Sequence, residues 1–200
     1  KPAMIKGTAY YDRNANGMLD DGEEMEGVII KLVYSKTNAT IGSVITNEDG
    51  YYEFDNLMPG SYRIEAISIN STTGNPDYTA DVSLLLEENV TREINISLNL
   101  AKIKVSGYTL YDNRSMDNVT IRFAPARDIE NNTALYESTK SNETGYFEVY
   151  LTPGIYNVSA SKEVFDNETN KTIDYSYEGR IEIKMGQSPI TDYMIALVRK

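Results

Sequence analysis

Apolar and polar residues alternate along most of the chain. Tyr62, Ile64 and Ala66 fall on one side and Arg63 and Glu65 on the other, the period of two that a half-buried strand imposes. No long window carries the apolar spacing of an amphipathic helix, and the longest apolar runs, Val28-Ile29-Ile30 and Leu84-Leu85-Leu86, are strand-length. Asp49-Gly50 and Thr144-Gly145 predict hairpin turns, and Pro59-Gly60 and Pro153-Gly154 predict type II turns whose glycine needs positive φ. Short strands at a spacing of about 8–12 residues predict an all-β sandwich.

The pattern occurs twice. Ile5-Lys6-Gly7-Thr8-Ala9-Tyr10-Tyr11-Asp12 returns as Val105-Ser106-Gly107-Tyr108-Thr109-Leu110-Tyr111-Asp112. Gly27-Val28-Ile29-Ile30 returns as Asn118-Val119-Thr120-Ile121, Asn47-Glu48-Asp49-Gly50-Tyr51 as Asn142-Glu143-Thr144-Gly145-Tyr146, and Leu57-Met58-Pro59-Gly60-Ser61-Tyr62 as Leu151-Thr152-Pro153-Gly154-Ile155-Tyr156. The order is kept throughout, so the chain is a tandem duplication with predicted units 1–100 and 101–200.

Composition narrows the chemistry. The 200 residues include no His, no Cys and no Trp, so imidazole base catalysis and zinc or thiolate chemistry have no carriers. A net charge of −11 opposes nucleic-acid binding and favours hard cations with oxygen ligands. No apolar stretch is long enough to insert into a membrane as a helix, and the absence of an initiating Met or leader predicts a processed start or an excised fragment at Lys1.

One segment carries a ligand set. Asp12-Arg13-Asn14-Ala15-Asn16-Gly17-Met18-Leu19-Asp20-Asp21-Gly22-Glu23 fits the calcium-loop pattern at each constrained position. Asp12, Asn14 and Asn16 would give side-chain oxygens and Gly17 the sharp turn. Met18 would offer its backbone carbonyl, Asp20 would lie at the ninth position, and Glu23 would close the site bidentately. The flanks read as strand, which argues against a helix-pair calcium switch. The second copy supplies a control: it runs from Asp112 to Val119 in seven steps where the first runs from Asp12 to Val28 in sixteen. The missing nine residues are the loop, so the sandwich does not need it to fold, and Ca2+ is expected to stiffen the first unit.

Eleven Asn-x-Ser/Thr triplets begin at Asn38, Asn70, Asn89, Asn95, Asn113, Asn118, Asn131, Asn142, Asn157, Asn167 and Asn170. Random placement of this composition gives roughly three. The excess predicts N-glycosylation of an exported protein; the competing explanation is that polar strands and turns favour Asn and Thr anyway. Asn95, Asn118 and Asn157 are out of phase with their apolar neighbours and are expected to face outward.

Gly7-x-x-x-Tyr11-Asp12, Gly50-Tyr51-Tyr52-Glu53-Phe54 and Leu57-Met58-Pro59-Gly60-Ser61-Tyr62 resemble the B-type repeats of the Sdr and Cna surface adhesins. Gly107, Gly145-Tyr146-Phe147 and Leu151-Thr152-Pro153-Gly154-Ile155-Tyr156 resemble the carboxypeptidase-regulatory-like domain. Both resemblances imply prealbumin-like (Ig-like, Greek-key) β-sandwiches that serve as stalks, spacers or accessory modules, with neighbouring domains of the same full-length chain as partners. In Sdr B-type repeats a similar loop binds calcium structurally, and Asp12, Asn14, Asn16, Asp20 and Glu23 match it. The sequon load on so acidic a chain would suit an archaeal surface protein.

Three other patterns bear on chemistry. Ser159-Ala160-Ser161-Lys162 has the spacing of a Ser/Lys hydrolase, but on a strand. Glu65 sits where the Cna resemblance implies the carboxylate that promotes a Lys–Asn isopeptide bond, while Ala9 and Tyr10 stand where the Lys is wanted. Tyr10, Tyr11, Tyr51, Tyr52, Tyr108 and Tyr111 keep a carbohydrate- or protein-binding adhesin module open as the rival to a non-catalytic spacer.

Overall fold

The computed structural model describes residues 2–126 and 136–200. It divides into two compact units, Lys1–Ala101 and Lys102–Lys200. The first holds β1 (Ala3–Tyr10), β2 (Ile29–Tyr34), β3 (Ala39–Ile45), β4 (Tyr51–Leu57), β5 (Gly60–Ile69), β6 (Pro76–Leu86), β7 (Thr91–Glu93), β8 (Ile96–Ser97) and β9 (Asn99–Leu100). The second holds β10 (Ile103–Tyr111), β11 (Arg114–Ser115), β12 (Thr120–Pro125), β13 (Glu137–Lys140), β14 (Tyr146–Leu151), β15 (Gly154–Asp166), β16 (Lys171–Ile183), β17 (Ile190–Ala196) and β18 (Val198–Arg199).

Each unit is a two-sheet sandwich. In the first, β4-β1-β7 with β8 continuing beside β1 forms one sheet and β3-β2-β5-β6-β9 the other. In the second, β14 and β17 flank β10, and β13-β12-β15-β16-β18 forms the facing sheet. The duplication thus extends to topology, including the last stretch of chain, which pairs with the first strand and then switches sheets as β9 or β18.

Alternation explains the cores. Along β5, Tyr62, Ile64 and Ala66 are buried while Arg63 and Glu65 are half-exposed. Ile5, Ile30, Leu32, Leu86 and Leu98 complete the first core, and Val105, Ile121, Phe123, Phe147 and Leu151 anchor the second. Full burial of each such side chain is worth about 1.5–3 kcal/mol, so each unit has a core of its own.

The first strand of each unit lies parallel beside the stretch that precedes the short closing strand β9 or β18. Met4, Ile5 and Lys6 pair with Thr91, Arg92 and Glu93, and Ala9 and Tyr10 pair with Ile96 and Ser97. In the second unit β10 pairs with β17 from Val105↔Ile190 to Leu110↔Ala196. Both ladders are interrupted where the repeated glycine stands. A Cβ on Gly7 would lie 1.8 Å from the Ile94 carbonyl oxygen, and one on Gly107 would lie 1.9 Å from that of Tyr193. The glycine is repeated because the last strand's backbone needs its space.

Two turn expectations need correction. Asp49-Gly50 and Thr144-Gly145 do form tight turns, with Gly50 and Gly145 at φ 67° and 79°. However, β3 and β4 lie in opposite sheets, as do β13 and β14, so these turns carry the chain across the sandwich and close no hairpin. The Asn47 and Asn142 side chains satisfy the turn amides, Oδ1 accepting from Asp49 and Tyr51 in one unit and from Thr144 and Tyr146 in the other. Gly60 and Gly154, at φ 157° and 158°, open β5 and β15 and are not the third residue of a type II turn. The corner is held instead by a tyrosine: Tyr62 donates its hydroxyl to the Met58 carbonyl at 2.8 Å, and Tyr156 to that of Thr152 at 2.9 Å.

A buried hydroxyl is duplicated as well. Thr46 Oγ1 accepts from Val28 N–H at 2.9 Å and donates to the Met25 carbonyl, and Ser141 Oγ does the same between Val119 and Met116. Thr46→Val keeps the shape but strands a buried N–H and a carbonyl. We expect it to cost the first unit about 1–3 kcal/mol in denaturant unfolding, and Ser141→Ala to cost the second unit a similar amount.

Candidate functional site

The twelve-residue loop is an excursion between β1 and β2 whose base is zipped shut. Tyr11 N–H donates to the Glu23 carbonyl at 3.0 Å and Met25 N–H to that of Ala9 at 2.9 Å, around a bridge between Tyr10 and Glu24. Glu23 is 5 % exposed although it is charged, and both its oxygens turn into the loop. Oε1 accepts from Arg13 N–H at 2.9 Å and Oε2 from Asp20 N–H at 3.1 Å. Asp12 Oδ2 accepts from Gly17 N–H at 2.7 Å, and Gly17 makes the sharp turn at φ 78°. Asn14 Oδ1 accepts from Asn16 N–H, and Asn16 Oδ1 from Met18 N–H.

Asp20 is the meeting point of the polar side chains. Its Oδ2 accepts from Asn14 Nδ2 at 2.8 Å and Asn16 Nδ2 at 2.7 Å, and these two amides hold its carboxyl below the usual range. The carboxylate form is therefore the one bound, so both contacts persist above the ordinary carboxylate range and are lost as pH falls through the lowered value. The structure brings Asn14, Asn16 and Asp20 together and turns Glu23 inward. Among the described residues, however, no three Asp or Glu side chains draw together as a metal cluster; Asp12, Asp20 and Glu23 are each engaged by loop amides. The donors are all oxygens, and the closing carboxylate is bidentate toward the loop interior. Asp12, Asn14, Asn16, Asp20, Glu23 and the Met18 carbonyl are the groups that could offer such oxygens to a hard cation, which would have to draw the Asn14 and Asn16 amides off Asp20.

In the second unit the loop's place is taken by a two-residue hairpin. Asp112 and Asn113, at φ 50° and 58°, join β10 to β11, with Tyr111 opposite Arg114. Those angles are those of the turn type that suits a twisted ladder, and Asp and Asn tolerate them best among residues with side chains.

Of the eleven sequon asparagines, Asn131 lies outside the described residues; nine of the other ten are exposed. Asn70 is half-buried, and its Nδ2, the atom a glycan would take, donates to both carboxylate oxygens of Asp77 at 3.2 Å. Asn38, Asn89, Asn113, Asn118 and Asn170 all have φ between 52° and 58°. Their partners at the third sequon position, Thr40, Thr91, Ser115, Thr120 and Thr172, are each the first or second residue of a strand. A left-handed turn selects Asn in all five, and the strand that follows favours Thr in the four that carry it, so in those four both halves of the triplet have a local backbone reason. Asn142 holds its turn, leaving Asn95, Asn157 and Asn167 as exposed sequons outside that account.

Asn95 has a role that the alternation did not reveal. It lies where the ladder breaks between β7 and β8, and its Oδ1 accepts from Thr8 N–H at 3.0 Å, supplying the partner the backbone does not. In the second unit the corresponding Tyr108 lies opposite Met194 within the continuous strand β17. The repeat alignment held this signal, because it sets a polar Asn against an apolar Met at the bulge.

The remaining candidates disperse. Ser159 and Lys162 are three apart on β15 and so on opposite faces, and Lys162 is paired with Asp117 at 2.7 Å. Glu65 is taken by Arg63 at 2.6 Å. Tyr10 and Tyr52 are buried, Tyr11 packs on Tyr78 and Tyr111 on Tyr175; only Tyr51 and Tyr108 stay open at 36 % and 39 % exposure. Burial pushes the Tyr52 phenol well up, and its hydroxyl donates to the Ile94 carbonyl at 2.7 Å.

Two sandwiches of one topology, the first carrying an inserted loop, make the chain a tandem β-sandwich module. Residues 3–96 match the SdrD B-like domain family. That match spans nearly all of the first unit and none of the second. Serine-aspartate repeat-containing protein F of Staphylococcus epidermidis is 37 % identical over 68 residues, 34 % of this chain and 4 % of that protein. Colossin-B of Dictyostelium discoideum is 38 % identical over 68 residues, 30 % of this chain and 2 % of that protein. This chain therefore spans only a few per cent of the length of these relatives. Among solved structures, a streptococcal ancillary pilin aligns with 97 % of this chain and 62 % of its own, at 16 % identity and a TM-score of 0.39. Among the described residues no helix is long and apolar enough to cross a membrane.

Proposed function

We propose that the chain is a non-catalytic spacer in a larger surface protein, with a structural calcium ion stiffening its first unit. The observation that carries this reading is the parallel pairing of β1 with β7 and β8, and of β10 with β17. Parallel neighbours bring the chain in at one end of a sandwich and out at the other, so each unit holds its points of entry and exit apart. The loop supports the calcium part: Glu23 is a buried carboxylate aimed inward among oxygen donors, at the base of an insertion that the second unit lacks. The ion would supply the positive charge that now comes from amides alone. The second unit, with the same topology and a short hairpin for the loop, is read as a carboxypeptidase-regulatory-like spacer. Asn95, Asn157 and Asn167 are the sequons best suited to carry glycans, and the neighbours in the full chain are the partners.

Thermal melts with about 2 mM calcium and with excess chelator test the proposal, because extracellular sites bind at about 10⁻⁴–10⁻³ M. Calcium should raise the first unit's transition by several degrees, from about 0.6–2 kcal/mol of linkage, and leave the second unit's in place. The Asp12→Ala/Glu23→Ala double variant should lose the response. Identical melts in all conditions would remove calcium from the reading and leave the spacer.

A further inference from the structure

Asn16-Gly17 is the one Asn-Gly pair in the sequence, and it lies exposed at the tip of the loop. A glycine after asparagine leaves its own nitrogen unhindered toward the asparagine carboxamide. Gly17 has open space around it, with nothing within 4 Å of where a Cβ would stand. We propose that Asn16 is a site of spontaneous deamidation which the loop's own hydrogen bonds hold in check. In the reaction Gly17 N attacks Asn16 Cγ, the new N–Cγ bond closes a five-membered succinimide, and Nδ2 leaves as ammonia carrying the proton lost from Gly17 N. Water then opens the ring at either carbonyl, giving aspartate or isoaspartate at position 16.

Three contacts oppose the attack while the loop is closed. Gly17 N–H is directed to Asp12 Oδ2 at 2.7 Å, Asn16 Oδ1 is fixed by Met18 N–H at 2.8 Å, and Asn16 Nδ2 is fixed on Asp20 Oδ2 at 2.7 Å. Both the nucleophile and the carboxamide must leave these partners before they can meet, so reaction proceeds through the opened loop, in proportion to its population. The product changes the loop's electrostatics. An amide that donated to Asp20 becomes a second carboxylate beside it, and isoaspartate adds a backbone carbon to the tightest part of the turn. On the calcium reading above, on which only this consequence rests, the aged loop depends more heavily on a cation.

The test uses the full 200-residue chain in chelator at mildly alkaline pH, so that its outcome is independent of calcium. Peptide mapping follows the one-dalton mass gain at residue 16, alongside a free peptide of residues 12–23 and the Asp12→Ala chain. Deamidation should map to Asn16 ahead of the other asparagines, and run about tenfold slower in the chain than in the peptide, since a hydrogen bond to a charged group is worth about that factor. Asp12→Ala should bring the rate toward that of the peptide. Equal rates in wild-type chain and peptide would overturn the protection, and no mass gain at residue 16 in the peptide would overturn the site. Should Asp12→Ala fail to fold, the wild-type and peptide rates still decide.

Discussion

Gly7→Ala is expected to destabilise the first unit by about 3–5 kcal/mol while the second unit melts unchanged, and Gly107→Ala is expected to do the reverse. The added methyl group would meet a backbone carbonyl at 1.8 Å in one case and 1.9 Å in the other. A flexible side chain could swing away, but the Ile94 carbonyl is held by the Tyr52 hydroxyl at 2.7 Å and Tyr193 is paired with Gly107 within β17, so neither can move without disturbing the contact of β1 with β7 and β8, or of β10 with β17. A unit of about 100 residues has about 5–15 kcal/mol of total stability, so the loss is a large fraction of it. Calorimetry on the intact chain reads both units at once, and each variant carries its control in the other unit. A Gly7→Ala protein with two unshifted transitions would mean that the last strand can step away from the first at little cost.

Much of this was open to reading in the sequence because the chain states its pattern twice. Period-two alternation gave the strands, and the recurring Gly-Tyr and Pro-Gly segments gave the order in which they repeat. What stayed hidden has one physical source: alternation says which face a residue takes, not which strand lies beside it. Asp49-Gly50 therefore looked like a hairpin, although its two strands belong to opposite sheets. Gly7 and Gly107 were visible as repeats, but their reason is a carbonyl far along the chain. In the loop the sharp turn at Gly17 and the inward Glu23 were legible, since the pattern that marks them is contiguous. Even so, its side chains in the structure bond first to one another and to loop amides. The sequon excess was legible as a count but mixed in cause, because five of the eleven triplets arise where a left-handed Asn precedes a strand.

Loaded from its two ends, each unit should fail by shear. With β1 parallel to β7 and β8, and β10 parallel to β17, a pull on the termini drives these strands past each other once the two-residue β9 or β18 has come away, and the bonds between them resist together. In an antiparallel hairpin the same pull would open them one at a time. In the first unit those bonds include, beside the ladders of β1 with β7 and β8, Met4 N–H to Val90 O, Ile94 N–H to Lys6 O, Leu98 N–H to Tyr10 O, and, last, the side-chain bond from Thr8 N–H to Asn95 Oδ1. Asn95→Ala removes the last of these at the point where the ladder is already broken. A bond of about 1–1.5 kcal/mol that is intact in the native state and lost at the barrier should raise the forced-unfolding rate about tenfold. Single-molecule pulling on unglycosylated chain separates this effect from loss of the sequon, and the second unit, where β17 runs unbroken past Tyr108, should keep its force. If Asn95→Ala left the first unit's unfolding force unchanged, the resistance would lie elsewhere, in the core or in the zipped base of the loop. The Asp12→Ala/Glu23→Ala variant would then be the one to weaken it.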